Sequence, residues 1–305
     1  MARIHVPADP GGPMSATPPQ DRLLDCTDEN QRESSLARAA EVVREGKVVV
    51  LPTDTVYGVG ADAFDVVAVA MVLAAKHRGR EMPPPVLVPN PRTVDGLATD
   101  LPMYARILMR QFWPGPLTLV LRAQPSLQWD LGETNGTVAL RMPGDEIALT
   151  LLAEVGPLAV TSANVTGRPA ATTAQEALDQ LGGAVAAYLD GGPRTGGEPS
   201  TIVDCTGEEP VVLRRGALGA EDLRAVLGTT VLHDSPEAAG RAQAGGDPSQ
   251  AALDAAAGGA SEDQAALVGS ITPSGVVAVR DAVRTIPAPS SAASSSPGST
   301  GHPLE

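Results

Sequence analysis

The run Lys47-Val48-Val49-Val50-Leu51 constrains this chain more than any other feature. It is β-branched, short and apolar enough to be a buried strand, and Pro52 stops it. Just before it, residues 34–45 put Leu36, Ala39, Val42 and Val43 on one helical face, with Gly46 placed to end the helix. The same alternation continues, with helical spacing over 64–76, 102–112, 146–155, 174–181 and 220–227. Extended runs fall at 86–88, 117–121, 138–141, 158–160, 201–204 and 210–214. Interleaving of this kind predicts an α/β fold, a single layered domain with a twisted mixed sheet rather than a clean parallel wind. Hydrophobic residues are 43% of the chain and aromatics only 2%, so the core is built from Val, Leu, Ala and Ile, with Trp113 and Trp129 as rare large fillers.

The length of 305 residues would allow two domains, yet the composition supports one. Residues 1–20 read as a disordered Pro- and Gly-rich leader, and Met14 is an alternative initiator to Met1. Residues 21–228 form the expected domain. Residues 229–305 are dominated by Ala, Gly, Ser and Pro and read as a low-complexity disordered tail, in which only 275–279 has strand character. No apolar run approaches the roughly 18 residues of a membrane span and no signal pattern is present, so a cytoplasmic protein is expected. A net charge of -14 argues against a general nucleic-acid coat and leaves local basic patches open. Cys26 and Cys205 lack CxxC spacing and read as reduced thiols, with neither a zinc site nor a disulfide framework.

Polar groups collect where strands end. Thr53 and Thr55 follow the first buried run. Lys76 and Arg78 stand two apart where a helix ends, so that extended backbone would put both on one face to grip a polyphosphate. Their structural alternative is a cationic cap on the helix dipole. Ser162 and Asn164 follow the 158–160 run and precede Gly167-Arg168-Pro169, as a nucleotide- or carboxylate-binding pair or as a turn that satisfies its own backbone. Arg141, Ser200-Thr201 and Arg214-Arg215 add further polar groups at strand termini. The four histidines, His5, His77, His233 and His302, form no Ser-His-acid constellation. There is no GxxxxGK[ST] loop, and Gly58-Val59-Gly60 is too short for a dinucleotide fingerprint.

In order along residues 22–228, the chain carries P-T-x-T-x-Y-G, K-x-R, W-P-G-P-L-T, R-x-P, T-S-A-N and S-T-I-V-D, and in these it resembles the YrdC family of threonylcarbamoyl-AMP synthases. The resemblance implies an L-threonylcarbamoyladenylate synthase, a nucleotidyltransferase joining L-threonine, bicarbonate and ATP into threonylcarbamoyl-AMP and pyrophosphate. The product would serve threonylcarbamoyladenosine formation at position 37 of tRNAs reading ANN codons. It implies a YrdC-like fold and catalytic Lys76, Arg78, Ser162 and Asn164. Threonine would be held by Thr55, Arg141 and Ser200, and ATP by Arg78, Ser162 and Arg214. Mg2+ would come with ATP, with no protein metal site and no tightly bound organic cofactor. The implied partner is a downstream tRNA threonylcarbamoyl-transferase complex, and direct tRNA or double-stranded RNA contact stays open. Val59 stands where Leu is usual, Thr166 for Ser, Met82-Pro83-Pro84 for a frequent Asn-Pro-Leu, and Leu87 where some members have His. Two other readings are a carbamoyl-transfer maturation factor of nickel-iron hydrogenases, for whose additional modules this chain has no room, and a non-catalytic double-stranded RNA-binding module.

Overall fold

The computed structural model describes residues 19–244. The leader up to residue 18 and everything from 245 onward, including the 275–279 run and most of the expected tail, lie outside the described residues. Within them the chain runs β1 (Leu23–Asp25), α1 (Glu29–Arg44), β2 (Val49–Leu51), β3 (Gly58–Asp62), α2 (Val66–Ala75), β4 (Val86–Leu87), α3 (Val94–Leu97), β5 (Ala98–Thr99), α4 (Met103–Phe112), β6 (Leu117–Ala123) and β7 (Thr137–Arg141). It continues as α5 (Glu146–Val155), β8 (Leu158–Ser162), α6 (Ala174–Leu181), β9 (Ala187–Asp190), β10 (Thr201–Asp204), β11 (Val211–Arg214), α7 (Ala220–Leu227) and α8 (Pro236–Ala244). Side chains start several helices. The Asp65 carboxylate accepts from Val67 and Ala68 N at the head of α2, and Asp145 accepts from Ala148 N at the head of α5.

All strands join one mixed sheet, ordered β1-β9-β2-β3-β8-β4-β7-β6-β10-β11, with β5 paired beside β6. Its first half is covered on both faces. Val49 and Leu51 pack with α1 and α5, while Val48 and Val50 point the other way into the cluster of α2 and α6. This is the period of two expected of a strand buried on both sides. The second half is covered on one face only: Leu117, Leu119, Leu121, Leu140 and Val203 pack with Tyr104, Leu108 and Leu223 from α4 and α7. Among the described residues no helix is long and apolar enough to cross a membrane.

Two expectations change. The Gly58–Asp62 stretch, absent from the expected extended runs, is a full strand that pairs antiparallel with both β2 and β8. Its glycines hide it from propensity, and they are there for space: a Cβ on Gly60 would lie 2.5 Å from Val160 Cγ2 and 2.7 Å from the Ala159 carbonyl. The ordered chain also passes the boundary expected at residue 228. Leu232 and His233 are buried, His233 bridges to Val211 while its ring meets Glu209 at 2.6 Å, and α8 follows. A composition averaged over a long tail conceals so short an apolar anchor.

Gly60→Ala is expected to lower stability by about 1–3 kcal/mol through overpacking, since the clash is partly with backbone. Denaturant titration of the variant with an unchanged midpoint would contradict the close approach of β3 and β8.

Candidate active site

The uncovered face of the second half-sheet is the floor of a cavity of about 530 Å³. Strand register sets its rows. Leu87 pairs with Arg141, Thr118 with Ile202, and Ile202 with Arg214, and all five residues line the cavity. The adjacent row, Val120 and Ala139 across β6 and β7, is apolar and continues into Val160 and Pro85. Met82, Pro83 and Pro84 form a wall. One side of the floor thus suits anionic groups and the other a flat apolar one.

Arg141 is 6% exposed and closely held. Its Nε donates to Gly115 O at 3.0 Å, Nη1 to Thr55 Oγ1 at 3.1 Å and Nη2 to Asp54 Oδ1 at 2.6 Å. Three of five guanidinium donors are engaged, leaving two for a ligand. Burial pushes its pKa down and the Asp54 carboxylate opposes that. Thr55 is oriented in turn by Thr53, whose hydroxyl lies 3.0 Å away and donates to Val56 O. This loop is pinned from behind: Arg194 donates to the Thr53 carbonyl at 3.3 Å and to Asp145 Oδ2 at 2.7 Å, with its guanidinium 5.7 Å over the Tyr57 ring.

Lys76 and Arg78 do not share a face. The end of α2 is a Schellman turn, with His77 N bonded to Ala74 O, Arg78 N to Leu73 O, and His77 at φ 53 in the left-handed region that His tolerates better than most residues. The turn splays the two cations. Lys76 goes inward, 2% exposed, and its ammonium donates to Ser162 O, to Asn164 O at 2.8 Å and to Asn164 Oδ1 at 3.2 Å. All three donors are consumed and Lys76 does not line the cavity. Asn164 does not line it either; its amide donates to Val165 O and Arg168 O. The expectation of two exposed cations on extended backbone is therefore corrected, because the left-handed residue between them turns the chain. Arg78 alone reaches the cavity, with Nη1 donating to Thr161 Oγ1 at 2.9 Å and a buried Nε that has no partner. Ser162 ends β8 opposite Gly58 and lines the cavity.

The structure therefore brings Thr55, Arg78, Arg141, Ser162, Ser200 and Arg214 to one cavity and leaves Lys76 and Asn164 behind its wall. Arg214 donates to the Ser200 carbonyl at 2.7 Å and to Ser200 Oγ at 3.0 Å. Its pKa is lowered by burial first, then by the like charges of Arg141 and Arg78. Neither Arg78 nor Arg214 is in an ion pair among the described residues. Burial pushes Lys76 down to about 8, helped by Arg78. Sequence reasoning missed Asp54, Thr118, Thr161 and Arg194. Only Thr118 left a signal, as the one hydroxyl inside the apolar run Leu117-Thr118-Leu119-Val120-Leu121. No Cys, His or Lys lines the cavity, and the Cys26 thiol is buried elsewhere and pushed up to about 11. Among the described residues no three His, Cys, Asp or Glu gather as a metal site.

Residues 41–216 match the family model of the Sua5, YciO and YrdC proteins, described as "Telomere recombination". A Mycobacterium tuberculosis protein named "Putative threonylcarbamoyl-AMP synthase" is 53% identical over 67% of this chain and 94% of its own length. The Bacillus subtilis threonylcarbamoyl-AMP synthase is 39% identical over 68% of this chain and 60% of its own length. The crystal structure of Pyrococcus abyssi Sua5 complexed with L-threonine superposes with a TM-score of 0.65 at 37% identity, covering 69% of this chain and 62% of that one.

The lowered Lys76 pKa has a definite sign. Its folded value, about 8, lies below the ordinary 10.5, so between these values the unfolded chain holds a proton that the folded chain has released, and raising the pH favours folding through this group. The melting-temperature difference between wild type and Lys76→Met is expected to shift in favour of wild type from about pH 7.5 to about pH 9.5. A difference that does not move with pH would mean that Lys76 titrates normally.

Proposed function

This chain belongs to the Sua5/YciO/YrdC family, and from that premise we propose that it is an L-threonylcarbamoyladenylate synthase, a nucleotidyltransferase that converts L-threonine, bicarbonate and ATP into threonylcarbamoyl-AMP and pyrophosphate. The observation that carries this reading is the convergence of Arg78, Arg141 and Arg214 with the hydroxyls of Thr55, Thr118, Thr161 and Ser200 on one cavity that has no Cys, His or Lys in its lining among the described residues. A carbamate formed on the threonine amine supplies the nucleophile itself. Its oxygen attacks the α-phosphorus of ATP, a new P–O bond forms, and the bond to the bridging oxygen breaks with that oxygen leaving on pyrophosphate. Such a step asks the protein for alignment and charge stabilisation.

The residues divide accordingly. The two unspent donors of Arg141, with Thr55 and Ser200, take the threonine carboxylate and hydroxyl. Arg78 and Arg214, unpaired by any described carboxylate, face the phosphates, with Ser162 beside them. Lys76 and Asn164 are positioning residues: the ammonium holds the Ser162 and Asn164 carbonyls and so fixes the loop that presents Ser162. The apolar row of Val120, Ala139, Val160 and Pro85 offers a surface for the nucleobase. Magnesium enters on the ATP phosphates as part of the substrate. The product passes to a tRNA threonylcarbamoyl-transferase complex in the cytoplasm. A non-catalytic RNA-binding role has no observation in its favour, since the cations line a cavity of small-molecule size and the net charge is -14.

Pyrophosphate release is expected only when threonine, bicarbonate and Mg-ATP are all present; equal ATP turnover without threonine would defeat the assignment. Arg78→Ala is expected to reduce turnover by roughly 10²- to 10³-fold, the cost of losing one charged transition-state contact. Its circular dichroism spectrum should match wild type, because the guanidinium makes one hydrogen bond within the protein.

A further inference from the structure

We propose that Thr118 is a positioning residue for the threonine-binding side of this cavity, acting by holding the Ser200 hydroxyl in place. The inference deepens the synthase reading and rests on it. Thr118 is 1% exposed and occupies a cavity-facing position of β6 between Leu117 and Leu119, which point into the core on the opposite face. Its Oγ1 lies 2.8 Å from Ser200 Oγ. Ser200 precedes β10 and is brought beside β6 by the bond from Thr201 N to Pro116 O and by the parallel pairing of Ile202 with Thr118. Arg214 meets the same Ser200 oxygen at 3.0 Å. Neither hydroxyl has another partner among the described residues.

A serine hydroxyl on its own turns among three staggered positions. Here two directional bonds, from opposite sides, select one. The proton count then matters. Two hydroxyls carry two protons, one of which lies between the oxygens, so whichever group donates, the pair keeps one unspent O–H. With Thr118 as donor the unspent O–H is that of Ser200, and the Arg214 charge on the same oxygen polarises it toward an electron-rich acceptor such as a carboxylate or carbamate oxygen. Thr118 thereby fixes the direction in which the site offers a hydrogen bond to threonine, while Arg141 in the neighbouring strand offers its two remaining donors.

Thr118→Val keeps the shape and β-branching and removes the hydroxyl; Thr118→Ser keeps the hydroxyl and removes the methyl. Steady-state pyrophosphate release by the full chain, with threonine varied at saturating bicarbonate and Mg-ATP, separates the two. Thr118→Val is expected to raise the KM for threonine about tenfold, the loss of roughly one oriented hydrogen bond, with kcat within about twofold, whereas Thr118→Ser stays within about twofold of wild type in both. A wild-type KM in Thr118→Val, or greater impairment in Thr118→Ser than in Thr118→Val, would overturn the proposal and leave Thr118 as packing. So would a melting temperature of Thr118→Val that falls well below wild type and accounts for the lost activity. Wild-type protein releasing no pyrophosphate would instead sink the synthase reading and the inference with it, a pattern distinct from an active wild type with an indifferent Thr118→Val.

Discussion

The alternation of side chains along β6, β7 and β10 is the constraint on which the rest of this molecule depends. A strand must send successive residues to opposite faces. In Leu117–Leu121 that rule sends three leucines into the core and leaves Thr118 and Val120 on the other face; in β7 it separates Leu140 from Arg141. Because α4 and α7 cover only the first of these faces, the second stays open, and the polar and apolar rows of the cavity are fixed by register rather than by loops. Loops add the rest, and each is tied down: Thr53–Tyr57 by Arg194, and Ser162–Asn164 by Lys76.

Two kinds of cation follow from this arrangement. Arg141 and Lys76 are buried and held by the protein, Arg141 through three of its five donors to a carboxylate, a hydroxyl and a carbonyl, and Lys76 through all three of its donors to three oxygens. Among the described residues Arg78 and Arg214 lack carboxylate partners, and Arg78 keeps a buried donor without an acceptor. The division between cations that build the site and cations that wait for a ligand is not visible in their residue types. For Lys76 and Arg78 it comes from the Schellman turn at His77, which sends side chains two positions apart in different directions.

The sequence carried the architecture well where apolar period and stop signals agreed. The helices over 146–155, 174–181 and 220–227 and the mixed sheet are found as read. It failed at β3, where Gly58 and Gly60 serve a neighbour, Val160, that lies 100 residues away in the chain and so cannot register in a local window. It failed at residues 232–244 because a brief anchor is lost in biased composition. The site was legible as a set of strand-end polar residues, and most of that set shares the cavity. What could not be read was depth: nothing in the K-x-R spacing tells that Lys76 is walled off, since that depends on a turn conformation and on the distant Ser162–Asn164 carbonyls.

Arg214 lies near two like charges, Arg141 and Arg78, and of the three only Arg141 is ion-paired with a carboxylate, Asp54, among the described residues. An anion bound beside Arg214 would offset the charge that these neighbours leave uncompensated. Each anionic group that binds there would remove a repulsion as well as make a contact, which ties the charge of the ligand to the stability of the fold.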